Sequence, residues 1–250
     1  MKYLIAVALV LILGLGGFFL WKSLSSGSDI NKTSEKSSTS DTKEVKFLNP
    51  KKSAHYESNT PAHGEILAGT PIEVVINFNF DLANLSEIKI IKDNAEYGEG
   101  ETSIDNSKLT MRRAVKNDLA DGVYTVEYKA CWPDGSCHDG SFQFAIDKDL
   151  SGLFEDQTTK NEVVVKLSSI RFMPQNLKIS AGSTVKWIND EIVEHYVNTD
   201  SHPAHTYFLS QNSKLLKNGD EFEQVFSEPG IYPYHCSAHA QTMKGSILVI

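Results

Sequence analysis

Apolar and polar residues alternate with a period of two through long runs of this chain, and this pattern limits the possible fold more than any other feature. The segments "VYTVEYKA" and "SFQFAI" show the pattern, and Gly, Asp and Asn turns separate such runs. In "PIEVVINFNFDL" large apolar residues occupy every second position, at Ile72, Val74, Ile76, Phe78 and Phe80. A period of two is typical of half-buried β-strands. The sequence therefore predicts an all-β protein.

The strand-like runs fall into two groups with the polar patch "DQTTKN" between them. Residues 47–150 predict an antiparallel β-sandwich. Residues 151–160 are predicted to be a linker to a second all-β domain at residues 161–250, where "AGS" and "EPG" supply the turns. A chain of 250 residues has room for two domains of ordinary size.

The N-terminal segment, residues 1–21, is predicted to be a transmembrane anchor. The run "YLIAVALVLILGLGGFFLW" has 19 residues without a charge, between Lys2 and Lys22. A helix of this length would rise roughly 28 Å, which matches the hydrocarbon thickness of a bilayer. A cleaved signal peptide fits the same pattern and remains the alternative. With either interpretation the rest of the chain crosses the membrane.

Residues 22–46 are rich in Ser, Thr, Lys and Asp and are predicted to be a flexible linker. A coil of this length has an r.m.s. reach of about 25–30 Å, enough to hold a folded domain clear of lipid headgroups. We therefore expect a single-pass protein of the cell membrane with both domains on the extracytoplasmic side. The formal net charge of −8 argues against a nucleic-acid partner, because it would not offset phosphate charge.

A group of potential metal ligands lies near the C-terminus, where "YHCSAHAQTMKGSILVI" places Cys236, His239 and Met243 within eight positions. Thiolate and thioether sulfur are soft donors and imidazole is intermediate, a set that suits copper in both oxidation states. Zinc prefers four strong ligands, and Met is not among its usual ones. The spacing therefore predicts a copper-binding loop between two strands.

A further imidazole is needed, and His195 in "WINDEIVEHYVNTD" is the candidate because it follows a polar turn. Cys, two His and a long axial Met form the blue-copper arrangement. The alternatives are His202 and His205 of "SHPAH", which we expect to be solvated, and His235. In a strand His235 would point to the face opposite Cys236, which makes it a poor candidate.

The segments "FMPQNLKISAGSTVKWIND", "EHYVNTD" and "GIYPYHCSAHAQTMKGSILVI" resemble cupredoxins of the plastocyanin and amicyanin type over essentially all of residues 161–250. The shared features are a Phe-x-Pro strand, a Gly-x-x-Val-x-Trp turn, a His after an Asn-Asp turn, and a Cys-x-x-His loop ending in Met. The resemblance implies a Greek-key sandwich with one copper ion. It assigns the ligands as His195, Cys236, His239 and Met243, although the three-residue gap before the Met varies in the family.

The segments "SAHYESNTPAHGEILAGTPIEVVINFNFDL" and "DGVYTVEYKACWPDGSCHDGSFQFAI" resemble the CopC family of periplasmic copper-resistance proteins, which are small Ig-like β-sandwiches. The resemblance places His55 and His138 on the two His positions of the family's copper site. However, the amine of His55 is locked in a peptide bond, and Ser136 replaces the expected Asp. The first domain is therefore predicted to space or dock the second, with a second copper ion at His55 and His138 as the alternative.

Cys131 and Cys137 flank the turn "WPDGS" and are predicted to form a disulfide. Facing positions of an antiparallel hairpin lie about 4.5–5.5 Å apart at Cα, within disulfide range, and an oxidising compartment permits the bond. This pairing leaves Cys236 free to be a ligand. The alternative is a reduced cluster of Cys131, Cys137 and His138 that holds Cu(I).

These features predict one-electron transfer at a mononuclear blue-copper site, with a redox protein as partner. The alternative is copper capture, storage or delivery, with a copper donor or acceptor protein as partner. We do not expect an enzyme, since multicopper oxidases and nitrite reductases need further centres built from many His and this chain has 8. The chain also shows no Ser/His/Asp triad, phosphate loop or paired-carboxylate motif.

Overall fold

The computed structural model describes residues 45–250 of the chain. The predicted transmembrane segment, residues 1–21, and nearly all of the predicted linker, residues 22–46, lie outside this range. Within residues 45–250 no helix has the length and apolar character needed to cross a bilayer. Short β-strands make up nearly all of the regular secondary structure of the described residues, which confirms the all-β prediction.

The first domain is a sandwich of two sheets. Its nine strands are β1 (Tyr56–Thr60), β2 (Ile66–Leu67), β3 (Glu73–Phe78), β4 (Glu87–Lys92), β5 (Ala95–Glu96), β6 (Gly98–Ile104), β7 (Thr110–Val115), β8 (Gly122–Cys131) and β9 (Cys137–Ile146). One sheet has the order β1-β3-β7-β6 and the other β2-β9-β8-β4-β5. The pairs are antiparallel, as predicted, except that β2 pairs with β9 in parallel.

The second domain is also a two-sheet sandwich. Its strands are β10 (Glu155–Asp156), β11 (Glu162–Ser168), β12 (Arg171–Met173), β13 (Asn176–Ile179), β14 (Ser183–Asn189), β15 (Asn198–Thr199), β16 (Glu221–Phe226), β17 (Gly230–His235) and β18 (Lys244–Val249). The sheets have the orders β12-β11-β14-β16 and β10-β13-β18-β17-β15. In β11 and β14 alternate side chains are buried, and Trp187 of β14 is fully buried in the core between the sheets.

Two local features differ from the predictions, one in strand β3 and one in the predicted linker. Strand β3 ends at Phe78, and Phe80 is 48 % exposed, because its ring stacks on His55 at the surface instead of entering the core. Residues 151–160 also contain regular structure. A 3-10 helix spans Lys148–Leu153, and β10 extends the sheet of the second domain by pairing with β13.

Strand β17 is buried along its whole length, and both of its faces pack against protein. On one face Tyr232 and Tyr234 join the core of the second domain. On the other face Ile231 packs, together with Leu248 of β18, into the core of the first domain. At Gly230 an added Cβ would lie 2.6 Å from a side-chain carbon of Ile72, so only glycine permits this approach. The two domains therefore share a packed interface.

Hydrogen bonds complete this interface. The Ile231 N–H donates to Thr70 O at 2.9 Å. The hydroxyl of the buried Tyr207 accepts from the Ile72 N–H at 2.8 Å and donates to Ile231 O at 3.0 Å, which joins one domain to the other. Arg112 of the first domain donates to Thr206 O at 3.1 Å. The loop after β15, which contains Thr206 and Tyr207, is therefore held by both domains.

Candidate metal centre

Three potential ligand side chains converge at one end of the second domain. The Nδ1 atoms of His195 and His239 each lie 3.6 Å from Cys236 Sγ, and the two imidazole rings have centroids 5.3 Å apart. Cys236 and His195 are fully buried, whereas His239 is half-buried. The cysteine is not in a disulfide, so its thiol remains available as a ligand.

The loop between β17 and β18 brings Cys236, His239 and Met243 together through its own backbone hydrogen bonds. Ser237–His239 form a 3-10 turn, in which the His239 N–H donates to Cys236 O at 2.9 Å. The loop then closes, because the Met243 N–H donates to His239 O and the Cys236 N–H donates to Met243 O. Met243 is 1 % exposed and lies in the same buried cluster as Cys236. The loop thus carries three of the four predicted ligands.

His195 comes from the segment between β14 and β15, and two contacts fix it. Its backbone pairs with Leu216, with N–O distances of 3.0 Å and 2.8 Å. Its Nε2 lies 2.8 Å from Oε1 of Glu191, so Nδ1 is the nitrogen left for the metal. A carboxylate on the outer nitrogen of a ligating His fixes the tautomer and makes the imidazole a better donor.

The Glu191 carboxylate is held in its ionised form. Desolvation favours the neutral acid, but hydrogen bonds from the Ile170 N–H, from His195 and from the Ser169 N–H outweigh it and lower the pKa of Glu191. Sequence reasoning missed this residue. The available signal was its position four residues before His195, immediately after the Asn-Asp turn.

The donor set and its spacing fit a copper ion. Metal–nitrogen bonds of about 2.0 Å and metal–sulfur bonds of about 2.3 Å separate N and S by roughly 3.5–3.7 Å at angles of about 110–120°. Both observed N–S distances are 3.6 Å. The Tyr196 N–H donates to Cys236 Sγ at 3.3 Å, a contact that stabilises a thiolate. One thiolate, two imidazoles and a nearby thioether form a set that suits copper.

The other His residues considered as the fourth ligand form a separate group. The ligand atoms of His202, His205 and His235 lie within 4.8 Å of one another and belong to no group with Cys236. His202 is exposed, as expected. The expectation that His205 is solvated is wrong, because it is half-buried against His235. Burial, followed by His235 and His202, lowers the pKa of His205 to about 4, so its imidazole is neutral at neutral pH.

In the first domain His55 and His138 both lie near the Trp132 ring, at centroid distances of 5.3 Å and 6.4 Å. Nδ1 of His55 is already engaged, 2.9 Å from Oδ1 of Asn79. Neither His belongs to a cluster of three ligands within residues 45–250. The structure therefore does not bring a third donor to the site that the CopC resemblance implied.

Cys131 and Cys137 face each other across the β8–β9 hairpin, and the structure joins them in a disulfide with a Cα–Cα distance of 4.0 Å. A pair of bonded sulfurs offers no thiolate. The hairpin therefore does not contain the reduced cluster of Cys131, Cys137 and His138 that could hold Cu(I).

Comparison with known families matches both domains. Residues 56–147 match the CopC domain, and residues 159–250 match the copper binding proteins of the plastocyanin/azurin family. Amicyanin-alpha of Methylorubrum extorquens is 32% identical over 85 residues, covering 34% of this chain and 69% of the relative. Plastocyanin of Scenedesmus fuscus is 33% identical over 97 residues, covering 35% and 99%.

Among solved structures, a novel purple cupredoxin from Nitrosopumilus maritimus matches with 31% identity and a TM-score of 0.31, over 35% of this chain and 99% of that one. The chain belongs to the plastocyanin/azurin family of copper-binding proteins and carries a CopC domain before its cupredoxin domain. Both resemblances drawn from the sequence are thus confirmed. Members of these two families bind copper or carry electrons and are not enzymes, and copper is the cofactor of the cupredoxin domain.

Proposed function

We propose that the chain is a membrane-tethered, extracytoplasmic blue-copper protein that transfers single electrons. The copper ligands are His195, Cys236 and His239, with Met243 as the weak axial ligand. The observation that carries the proposal is the placement of two imidazole nitrogens 3.6 Å from one buried sulfur.

The protein environment supports electron transfer over bond-making chemistry. A copper ion between these donors would be enclosed by the fully buried His195 and Cys236, and the buried Met243 would leave no strong open position for a substrate. His239 is the ligand nearest to solvent, because it is only half-buried on its loop. We assign the entry and exit of electrons to this side, as the cupredoxin resemblance implies, with a redox protein as partner.

The first domain is proposed to dock the cupredoxin domain. Its core includes Ile231 of the other domain, and its backbone accepts the Ile231 N–H at Thr70 O. Membrane tethering is proposed from the 19-residue apolar run at the N-terminus and from the polar segment that follows it.

An absorption spectrum of the purified protein after addition of Cu(II) tests the site. We expect a strong visible thiolate-to-copper band that is lost in Cys236→Ser and kept in His202→Ala, whose side chain is exposed. A wild-type protein that binds no copper, or a band that survives Cys236→Ser, would remove the basis of the proposal.

The CopC match favours a second candidate function, copper capture, storage or delivery. A carrier of electrons retains its metal through many redox cycles, whereas a delivery protein must release it. Transfer of the bound copper to a chelator within minutes would favour delivery. Reversible voltammetry with full retention of copper would favour electron transfer.

A further inference from the structure

A second group of nitrogen ligands lies on the face of β17 opposite to the thiolate. His202 and His205 come from the loop after β15, and His235 is the last residue of β17. Their ring centroids lie between 5.1 Å and 5.4 Å from one another, and their ligand atoms lie within 4.8 Å. The blue-copper ligands do not include any of the three.

The hydrogen bonds of His235 leave one nitrogen free to bind an ion. Its Nδ1 lies 2.6 Å from Oδ1 of Asp200, so Nδ1 carries the proton and Nε2 presents a lone pair. Metal-binding His residues usually donate their outer N–H to a carboxylate or a backbone carbonyl, which fixes the ring. Because His235 is 1 % exposed, this orientation is fixed by packing as well as by the carboxylate.

The second nitrogen is also placed as an acceptor. Nε2 of His205 lies 3.0 Å from the Ser237 hydroxyl, and that hydroxyl accepts a hydrogen bond from Asn198 Nδ2 at 2.8 Å. The serine proton can therefore point at the imidazole, and it rotates away when Nε2 binds an ion, because Nε2 has a single lone pair. Nε2 of His205 also lies 3.2 Å from Nε2 of His235. The contact is a hydrogen bond when Nε2 of His205 carries a proton; in the other tautomer the two lone pairs repel each other until a cation binds both nitrogens.

This distance is the one that a shared metal ion requires. Two metal–nitrogen bonds of about 2.0–2.1 Å at a tetrahedral angle separate the nitrogens by roughly 3.3 Å. His202 supplies a third imidazole from the solvent side, where an ion can enter. The first domain holds the loop in place, since Ser201 Oγ lies 2.7 Å from Ser58 Oγ and Thr206 Oγ1 lies 2.8 Å from Asn77 Oδ1.

We propose that His202, His205 and His235 bind a second Cu²⁺ ion, with Asp200 as the positioning residue of His235. Three imidazoles without a thiolate suit a borderline divalent ion, and among these Cu²⁺ binds nitrogen donors most tightly. The site differs from the blue-copper site in its ligands and does not depend on it. The two sites are adjacent along the chain, because His235 precedes Cys236.

Copper analysis and electron paramagnetic resonance of the full-length protein test the proposal, with Cu²⁺ as the probe. We expect a wild-type spectrum with two components, one from the thiolate site and one with nitrogen splitting. In His202→Ala/His205→Ala one copper per chain should be lost, together with the nitrogen-split component, while the visible thiolate band stays. In Cys236→Ser the visible thiolate band should be lost, while the nitrogen-split component stays.

Three further variants sharpen the result. Asp200→Asn should weaken Cu²⁺ binding at the second site by about 10- to 100-fold and leave the thiolate band unchanged. His202→Ala alone, at an exposed position, should weaken it without a fold defect. His55→Ala/His138→Ala should change neither property.

An unchanged copper count in the His202→Ala/His205→Ala protein, or binding of Zn²⁺ alone at these residues, overturns the proposal. A wild-type protein that shows the nitrogen-split component but no thiolate band would instead count against the blue-copper site.

Discussion

Nε2 of His195 lies 2.8 Å from Oε1 of Glu191, which places a carboxylate directly behind a predicted copper ligand. The negative charge stabilises Cu(II) more than Cu(I), and the two N–H groups at residues 169 and 170 hold the carboxylate in position. The reduction potential of the copper site should therefore depend on this one side chain.

Glu191→Gln is expected to raise the reduction potential, because the amide keeps the shape of the side chain and removes its charge. A potential change of about 60 mV corresponds to each tenfold change in the relative affinity for the two oxidation states. Protein-film voltammetry measures the shift. Glu194→Gln, which removes an exposed charge one residue from His195, is the control and should shift the potential less. Equal shifts in the two variants would contradict a specific role for Glu191.

Met243→Gln tests the axial ligand. The amide oxygen is a harder donor than the thioether, so it favours Cu(II) and should lower the reduction potential while the thiolate band remains. Met173→Gln is the matched control, since Met173 is 52 % exposed on β12. If both variants keep the wild-type potential, Met243 is not a ligand.

Tyr207→Phe tests the bond between the domains. The variant leaves the Ile72 N–H and the Ile231 carbonyl without their partner, which should cost about 1–3 kcal/mol of the free energy of unfolding. Calorimetry should also show the two domains melting less cooperatively. Tyr97→Phe, at a half-buried position in the first domain, serves as the comparison. A Tyr207→Phe protein as stable as the wild type would show that the hydroxyl does not couple the domains.

The double variant Cys131→Ser/Cys137→Ser should destabilise the protein by about 2 kcal/mol, since the closed loop is short. Chemical denaturation measures the loss, and a reducing agent should produce a similar loss in the wild type but none in the variant. The visible copper band should stay unchanged, because Cys236 is the only cysteine at the metal centre. A weaker band in the double variant would be inconsistent with this assignment.

Glu65 should make stability depend on pH. Desolvation, with a contribution from Asp200, raises the pKa of Glu65 to about 7, from its ordinary value of 4.5. The folded state therefore holds the Glu65 proton more tightly than the unfolded state, so this residue's contribution to the free energy of unfolding should fall as pH rises from about 4.5 to about 7. Glu65→Gln should flatten this part of the stability curve. A curve that keeps its slope in the variant would assign the effect to another group.

Much of the fold could be predicted from local pattern, because alternation reports which side of a strand is buried. Tyr124, Val126 and Tyr128 of β8 follow the expected alternation. Strand β3 does not, because Val75 and Asn77 are buried as well as Val74 and Ile76. The candidate copper loop could also be predicted from the sequence, since its three potential ligand types lie within eight positions. Only His195 had to be assigned from a distant segment.

The features that escaped prediction depend on the contact between domains. Strand β17 has no solvent-facing side, so the run "GIYPYH" does not alternate. The sequence alone does not reveal that the first domain covers this strand. His205 was expected in solvent for the same reason, because the loop that carries it is held by distant residues such as Asn77 through Thr206. Local sequence records neither relationship.

The burial of Ile231 in the core of the other domain also restricts how such a protein can be rearranged. A cupredoxin half expressed alone would present that apolar side chain to water and invite aggregation. A homologous half with a side chain at position 230 would clash with Ile72 of the other half. Although the two halves match different families, their shared packing makes them one structural unit.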